Sequence, residues 1–399
     1  MAGFCFFAAQ ALLVPTRTRA ASPSLTVSQP NLDSSQTTNA AWLIYIGTYT
    51  GERSKGIYFS RMNRITGHLS PIELGAETPS PTFLEIDSKR GLLFAVNEIS
   101  SFQGKSAGAV TSFSLHPETG KLSQLSQQSS LGGGPCHLSL DRAGHHVLVA
   151  NYGGGSVAVL PVSEDGLIGP ATAFVQHSDG STTHRQAKPH AHCFNLDAAN
   201  RFGFVCDLGL DKVMSYRFDS SRGTLAANEP AFTQLQPGAG PRHFAFHPDG
   251  HQAYTINELN STLTSYAYDP GRGTLTEVQT ISTLPADFHG KNFCAELQVH
   301  PNGKLLYASN RGHDSLAVFA INSADGRLSL VQHQSTLGKW PRFLGLDPSG
   351  KFLLAANQNS DSIVVFRIDS ITGRLEPTGN TLDVASPVCV KFYEDASAR

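Results

Sequence analysis

The sequence predicts an all-β architecture, a seven-bladed β-propeller of four-stranded antiparallel blades. Three observations carry that reading. One unit recurs seven times between Trp42 and Phe392: an apolar strand ending in Asp or His, a tight turn, a second strand ending in Asn or Asp, a third strand, and a Gly-Leu turn. The residues closing the first strand stand at Asp87, Asp141, Asp197, His247, His300, Asp347 and Tyr393, 46 to 56 residues apart, close to the roughly 40 to 50 residues of a propeller blade. The first copy lacks its first strand, and the chain ends on a lone one.

The first copy opens on its second strand, Leu43 to Thr48. Later second strands follow as LLFAVN to Asn97, VLVAN to Asn151, FGFVCD to Asp207, AYTIN to Asn257, LLYASN to Asn310 and FLLAAN to Asn357. Third strands alternate with period two, as in Ser362-Ile363-Val364-Val365-Phe366-Arg367-Ile368, and TGKL, RGTL, DGRL or TGRL turns lead into the fourth. Pro301-Asn302-Gly303 and Pro348-Ser349-Gly350 are typical of the turns joining first to second strands. The last segment, Pro387 to Phe392, is expected to complete the N-terminal blade and close the ring, which removes exposed sheet edges. No amphipathic helical window competes.

Composition bounds the rest. A chain of 399 residues with 40% hydrophobic content buries a large core, and a single repeat domain of about 350 residues is allowed because each blade packs only on its neighbours. A net charge of −2 with 16% charged residues offers no footprint for nucleic acid or an anionic membrane. Six cysteines (Cys5, Cys136, Cys193, Cys206, Cys294, Cys389) form no CxxC pair and are expected to be reduced, mostly buried thiols. Residues 1–41 are expected to be an apolar leader plus a disordered polar linker. Phe4 to Val14 has signal-peptide length but is too short to span a bilayer, and a Ser/Thr/Asn/Gln/Pro-rich tract follows it. No Lys or Arg precedes the run, whereas Arg17 and Arg19 follow it, so a cytoplasmic location stands beside export through an atypical N-terminal signal. The propeller is expected over 42–393 and a tail over 394–399.

In an up-and-down blade, the loop entering strand one and the loop joining strands two and three emerge on one face of the disc. The other connections emerge on the opposite face and are read here as uniformly short. The first face carries the unusual polar residues. Strand-one entrances hold Cys136-His137, His190-Ala191-His192, Arg242-His243, Ala295-Glu296 and Arg342. Strand-two exits hold Asn97-Glu98, Asn151-Tyr152, Asp207, Asn257-Glu258, Asn310-Arg311 and Asn357-Gln358. Strand one is innermost, so histidines, carboxylates and guanidinium groups from different blades converge on the channel mouth, as an acid/base site with an anion clamp requires. Each residue also has a purely structural reading: a lone histidine anchors a loop, Glu258 caps backbone amides, and Arg242 and Arg342 brace neighbouring blades. The Asp and Asn residues that close strands read as turn-formers.

The segments GPCHLSLD at Gly134, ANYGGGSV at Ala150, KPHAHCFNLD at Lys188, DLGLDKV at Asp207, GPRHFAFHPDG at Gly240, NELNSTLTSY at Asn257, VHPNGKLLYASNRGHDSLAVF at Val299 and DPSGKFLLAANQNSDSIVVF at Asp347 carry a resemblance. Together they resemble the seven-bladed propeller lactonases, a family that includes propeller-type 6-phosphogluconolactonases and fungal carboxymuconate lactonizing enzymes. The resemblance covers Leu43 to Phe392. It implies a catalytic set of His192, Arg242, Glu258 and Arg311, with His190 as an alternative to His192. His137, His190, His243, Glu296 and Arg342 are expected to contact substrate, and the insertion Asp179 to Lys188 is expected to reshape the pocket.

The expected activity is hydrolysis of a sugar δ-lactone, 6-phosphogluconolactone first, by a monomer or weak homodimer without cofactor or metal. Glu258 or His192 is expected to be the base, with Arg242 and Arg311 holding the oxyanion and the phosphate. A lactonizing cycloisomerase acting on a carboxymuconate is the alternative within enzymes. His177, His184, His190 and His192 crowd one segment, but their spacing of 7, 6 and 2 matches no zinc signature. A non-catalytic YVTN-like binding propeller is the remaining alternative. Neither tryptophan, Trp42 nor Trp340, precedes an Asp, which argues against WD40 repeats.

Overall fold

A computed structural model describes residues 41–178 and 184–394. They form seven four-stranded antiparallel sheets. We number the blades by their innermost strands: Leu84–Asp87 in blade 1, Pro135–Leu140 in blade 2, Ala191–Leu196 in blade 3, Pro241–Phe246 in blade 4, Phe293–Val299 in blade 5, Pro341–Leu346 in blade 6 and Pro387–Tyr393 in blade 7. Each of these strands packs on the first strands of both neighbouring blades, so the seven line a central channel. Blade 7 combines the C-terminal strand with Ala41–Thr48, Gly56–Asn63 and Glu73–Glu77. In that closure Ile44 lies opposite Phe392 and Ile46 opposite Val390, so the first and last described strands are locked into one hydrogen-bonded ladder.

The repeated strand-closing residues divide by side chain. Asp141 accepts from the His146 amide, Asp197 from Arg201 and Phe202, and Asp347 from Phe352, so the aspartates are turn-formers as read from sequence. His247 and His300 accept a local amide through Nδ1 and also reach the next blade, donating Nε2–H to the carbonyls of Gly303 (2.7 Å) and Gly350 (2.9 Å). Both glycines adopt positive φ, 70° and 68°. Glycine is therefore the residue that keeps each turn tight enough to present its carbonyl.

The residues closing the second strands do more than shape a turn. Asn97, Asn151, Asn310 and Asn357 each donate Nδ2–H to a carbonyl in the loop that enters their own blade, those of Pro79, Ser130, Thr283 and Thr336. In blade 3 Asp207 takes this place, because its entering loop offers donors instead: the His190 amide at 2.8 Å and His177 Nδ1 at 2.6 Å. These side chains fix the loops on the face that carries the candidate site.

The opposite face is less uniform than expected. Its first-to-second turns are short, but the third-to-fourth connection of blade 2 runs over 162–172 and carries its own bridge, Val162 to Ile168. The only helical pieces among the described residues are short 3-10 turns, His184–Gln186 and Gln358–Ser360. None is long and apolar enough to cross a membrane. Cys136, Cys193, Cys206, Cys294 and Cys389 are free and buried. Apart from Ala41, the expected leader and linker lie outside the described residues, as do Cys5 and residues 395–399 of the expected tail.

Candidate active site

Apart from His190, which immediately precedes its strand, the expected entrance residues sit inside the first strands, at or beside breaks in their pairing with the second. Pro135 and His137 pair with Asn151 and Ala150, which leaves Cys136 out of the ladder. His192, Arg242 and Arg342 are left out in the same way in blades 3, 4 and 6, and in blade 5 Ala295 and Glu296 together face Ser309. A bulge of this kind frees a residue from the two-sided alternation and re-aims its side chain. Repeated in blades 3 to 6, it lines the channel mouth with His192, Arg242, Glu296 and Arg342.

Glu258, just past the end of its second strand, is the centre of the cluster. Arg311 Nη2 lies 2.8 Å and Arg242 Nε 3.2 Å from its Oε2, and Arg185 Nη2 lies 2.7 Å from its Oε1. Arg242 and Arg311 are also tied to blade 5 carbonyls, Arg242 to Ala295 at 2.6 Å and Arg311 to Phe293 and Cys294. Bracing and clamping are thus done by the same guanidinium groups. Burial favours the neutral acid, but Arg311, Arg242 and Arg185 outweigh it and hold Glu258 down to about 2. Burial also brings Arg242 down to about 10, helped by repulsion from Arg342 and Arg311.

Below this cluster the polar groups are neutral. Burial first, then nearby positive or imidazole groups, push His137, His192 and His243 well below the ordinary histidine range. Burial raises Glu296 to about 8. Its Oε2 lies 2.9 Å from His243 Nδ1, two buried groups that both favour the neutral form. Phe83 of blade 1 closes the channel beneath them: its ring lies 4.3 Å from that of His137, 5.9 Å from His243 and 5.9 Å from Phe343, contacting blades 2, 4 and 6 at once. On its far side Lys391, paired with Glu85, approaches the same ring.

The two candidate histidines differ in kind. His190 Nδ1 lies 2.9 Å from the Tyr152 carbonyl, which only accepts, so the neutral ring carries its proton there and its lone pair on Nε2. The ring is half-buried and stacks on Tyr152 at 4.4 Å. His192 is buried, with Nδ1 3.6 Å from Cys136 Sγ. His177 does not face the site at all: it bridges Asp207 and the Tyr216 hydroxyl. Arg342 turns to a second group, donating to the Tyr49 hydroxyl, which with Thr82 hydrogen-bonds Glu98.

The structure therefore brings Arg242, Glu258 and Arg311 into direct contact and puts His137, His192, His243 and Glu296 in the layer beneath. Sequence reasoning missed Arg185, Phe83 and Trp340, whose ring lies 5.5 Å from the Arg311 guanidinium. Arg185 lies in the insertion flagged as able to reshape the pocket, but nothing local marks it as reaching another blade. A groove of about 800 Å³ on the opposite face, lined by residues such as Asp87, Ser88, Asp141 and Arg142, carries no comparable cluster. Its aspartates are spent on turn amides.

A family model described as "Lactonase, 7-bladed beta-propeller" matches residues 43–392. A protein of Bacillus subtilis (strain 168) named 6-phosphogluconolactonase is 36% identical over 348 residues, 87% of this chain and 97% of that protein. The solved periplasmic gluconolactonase of Pseudomonas aeruginosa is 35% identical with a TM-score of 0.83, covering 88% of this chain and 99% of that one. A solved protein from Lactobacillus plantarum is 33% identical with a TM-score of 0.82, covering 89% and 100%.

Proposed function

Because this chain belongs to the seven-bladed β-propeller lactonase family, we propose that it hydrolyses a sugar δ-lactone, 6-phosphogluconolactone, to the open acid. The observation that carries the reading is the ionised Glu258 held among buried guanidinium groups at one end of a plugged channel. Four guanidinium groups (Arg185, Arg242, Arg311, Arg342) face two carboxylates (Glu98, Glu258) there, while Glu296 is protonated. The positive surplus suits an anionic substrate and an oxyanion that develops on attack.

Glu258 at about 2 is too weak a base to activate water efficiently, and His192 is buried against Cys136. The base is therefore His190, whose Nε2 lone pair takes a proton from water. The hydroxide bonds to the lactone carbonyl carbon, and the carbonyl oxygen becomes an oxyanion in the field of Arg242 and Arg311. When the bond to the ring oxygen breaks, the imidazolium returns its proton to that oxygen, leaving one free carboxylic acid and one hydroxyl. Glu258 stays ionised throughout, fixes the two arginines and stabilises the transient imidazolium. Metal is not required on this account.

The test is the rate of hydrolysis of freshly made 6-phosphogluconolactone beside unphosphorylated gluconolactone, each corrected for spontaneous opening. A marked preference for the phosphorylated lactone is expected. Rates at the spontaneous background for both would end the reading.

A further inference from the structure

Arg185 lies in none of the repeated motifs, yet its guanidinium reaches from the blade 2 to blade 3 loop across to Glu258 of blade 4. We propose that Arg185 is the receptor for the substrate's anionic group: it exchanges Glu258 for the phosphate of a phosphorylated sugar lactone and so sets the preference for phosphorylated over neutral lactones. This rests on the reading of the site as a lactone-hydrolysing one.

Three features separate Arg185 from the other arginines. Arg242 and Arg311, with side chains 3% and 5% exposed, are buried in ion pairs with Glu258 and donate to blade 5 carbonyls, Arg242 to Ala295 and Arg311 to Phe293 and Cys294. The Arg185 side chain is 44% exposed, so part of its five-donor fork faces solvent at the mouth. A fork of that shape accepts two phosphate oxygens side by side.

Exposure does not make it loose. The next residue, Gln186, is buried and donates Nε2–H to the Leu208 carbonyl at 2.9 Å and to Asp211 Oδ1 at 2.6 Å. At the two ends of the loop, His177 Nδ1 and the His190 amide both bind Asp207. The guanidinium lies 5.2 Å from the Phe293 ring, which packs on Trp340, and it is within hydrogen-bonding reach of the Tyr152 hydroxyl. Arg185 is thus held over the mouth by the loop and the aromatic wall, whether or not Glu258 is its partner. A partly exposed ion pair contributes little stability, so exchanging one anion for another costs little.

The exchange also has a direction. With Arg185 on the phosphate, Glu258 retains Arg242 and Arg311 and stays ionised, so substrate binding does not dismantle the buried cluster. A neutral lactone has nothing to offer Arg185, which then remains on Glu258.

The experiment uses the full chain with R185A and R185K, measuring kcat and KM for 6-phosphogluconolactone and gluconolactone. Loss of a charged hydrogen-bonding partner predicts that R185A raises KM for the phosphorylated lactone by about 10-fold or more and lowers the preference for it over gluconolactone by about the same factor. R185K is expected to fall between, keeping charge but losing the fork. A change of both lactones by the same factor, or of neither, overturns the proposal. Calorimetric binding of 6-phosphogluconate and gluconate keeps the two readings apart. If the wild type opens neither lactone yet binds 6-phosphogluconate in an Arg185-dependent way, the lactonase reading fails and the receptor stands. If R185A keeps the wild-type preference in both turnover and binding, the receptor fails and the lactonase reading stands.

Discussion

Glu98 and Glu258 occupy the same place in blades 1 and 4, each the residue after the asparagine that closes its second strand, yet they meet opposite surroundings. Glu258 faces three guanidinium groups, whereas Glu98 accepts from the hydroxyls of Tyr49, at 2.9 Å, and Thr82, at 2.6 Å. The repeat duplicates a position; the neighbouring blades decide what it does. E258Q is expected to lower turnover by about 10²-fold, because Arg242 and Arg311 lose the anion that orders them, and to lower the melting temperature, since removing one partner of a buried cluster costs about 3–5 kcal/mol. E98Q keeps its hydroxyl neighbours and is expected to change turnover by less than about 10-fold. Equal losses in the two variants would contradict this assignment.

His190 and His192 are separated by the same means. H190N removes the Nε2 lone pair and is expected to lower kcat by about 10²-fold or more while leaving the melting temperature near that of the wild type. H192N alters a buried neighbour of Cys136 and is expected to act mainly on stability. Steady-state kinetics with thermal melts on both variants decide the matter, and the reverse pattern returns the base to His192.

Glu296 makes a prediction for pH. A carboxyl raised to about 8 by burial holds its proton in the folded chain where the unfolded chain, near 4.5, has lost it. Its contribution is complete below about pH 4.5 and falls away as pH rises toward 8. E296Q, which cannot ionise, is expected to show a smaller decline in stability than the wild type across that window in denaturant titrations. Glu258 runs the other way: lowered to about 2, it contributes fully above about 4.5 and loses that contribution as pH falls toward 2. Parallel slopes for E296Q and the wild type between pH 5 and 8 would mean that Glu296 is ionised in the fold.

Phe83 is 6% exposed and bridges three blades across the channel. F83A is expected to cost about 3–5 kcal/mol in denaturant unfolding, the usual loss for a buried aromatic ring. It also removes the floor under His137 and His243, so turnover is expected to fall with KM changed less than kcat. A loss under about 1 kcal/mol would mean that the channel does not rely on this plug.

Dialysis against EDTA is expected to leave the rate unchanged, because the proposed mechanism draws its base from His190 and its positive field from Arg242 and Arg311. A loss restored by one divalent metal would replace this mechanism with a metal-assisted one.

Blade number, strand order and ring closure are all legible in the sequence, and so is the face on which the unusual side chains gather. Each is written locally: strand alternation has a period of two, turns name themselves through Gly, Asn and Pro, and a missing first strand at one end matches a spare one at the other. The candidate residues were legible as types at recurring positions. Their roles were not. Nothing in Asn97-Glu98 and Asn257-Glu258 tells a carboxylate among hydroxyls from one among guanidinium groups, because Tyr49 for Glu98 and Arg185 and Arg311 for Glu258 arrive from outside the blade, tens of residues away. The bulges that free His192, Arg242 and Arg342, the neutral layer around Glu296, the plug by Phe83 and the reach of Arg185 all come from tertiary packing. Distance and burial set charge state and contact, and closing the ring is what brings residues remote in the chain close enough for either to act.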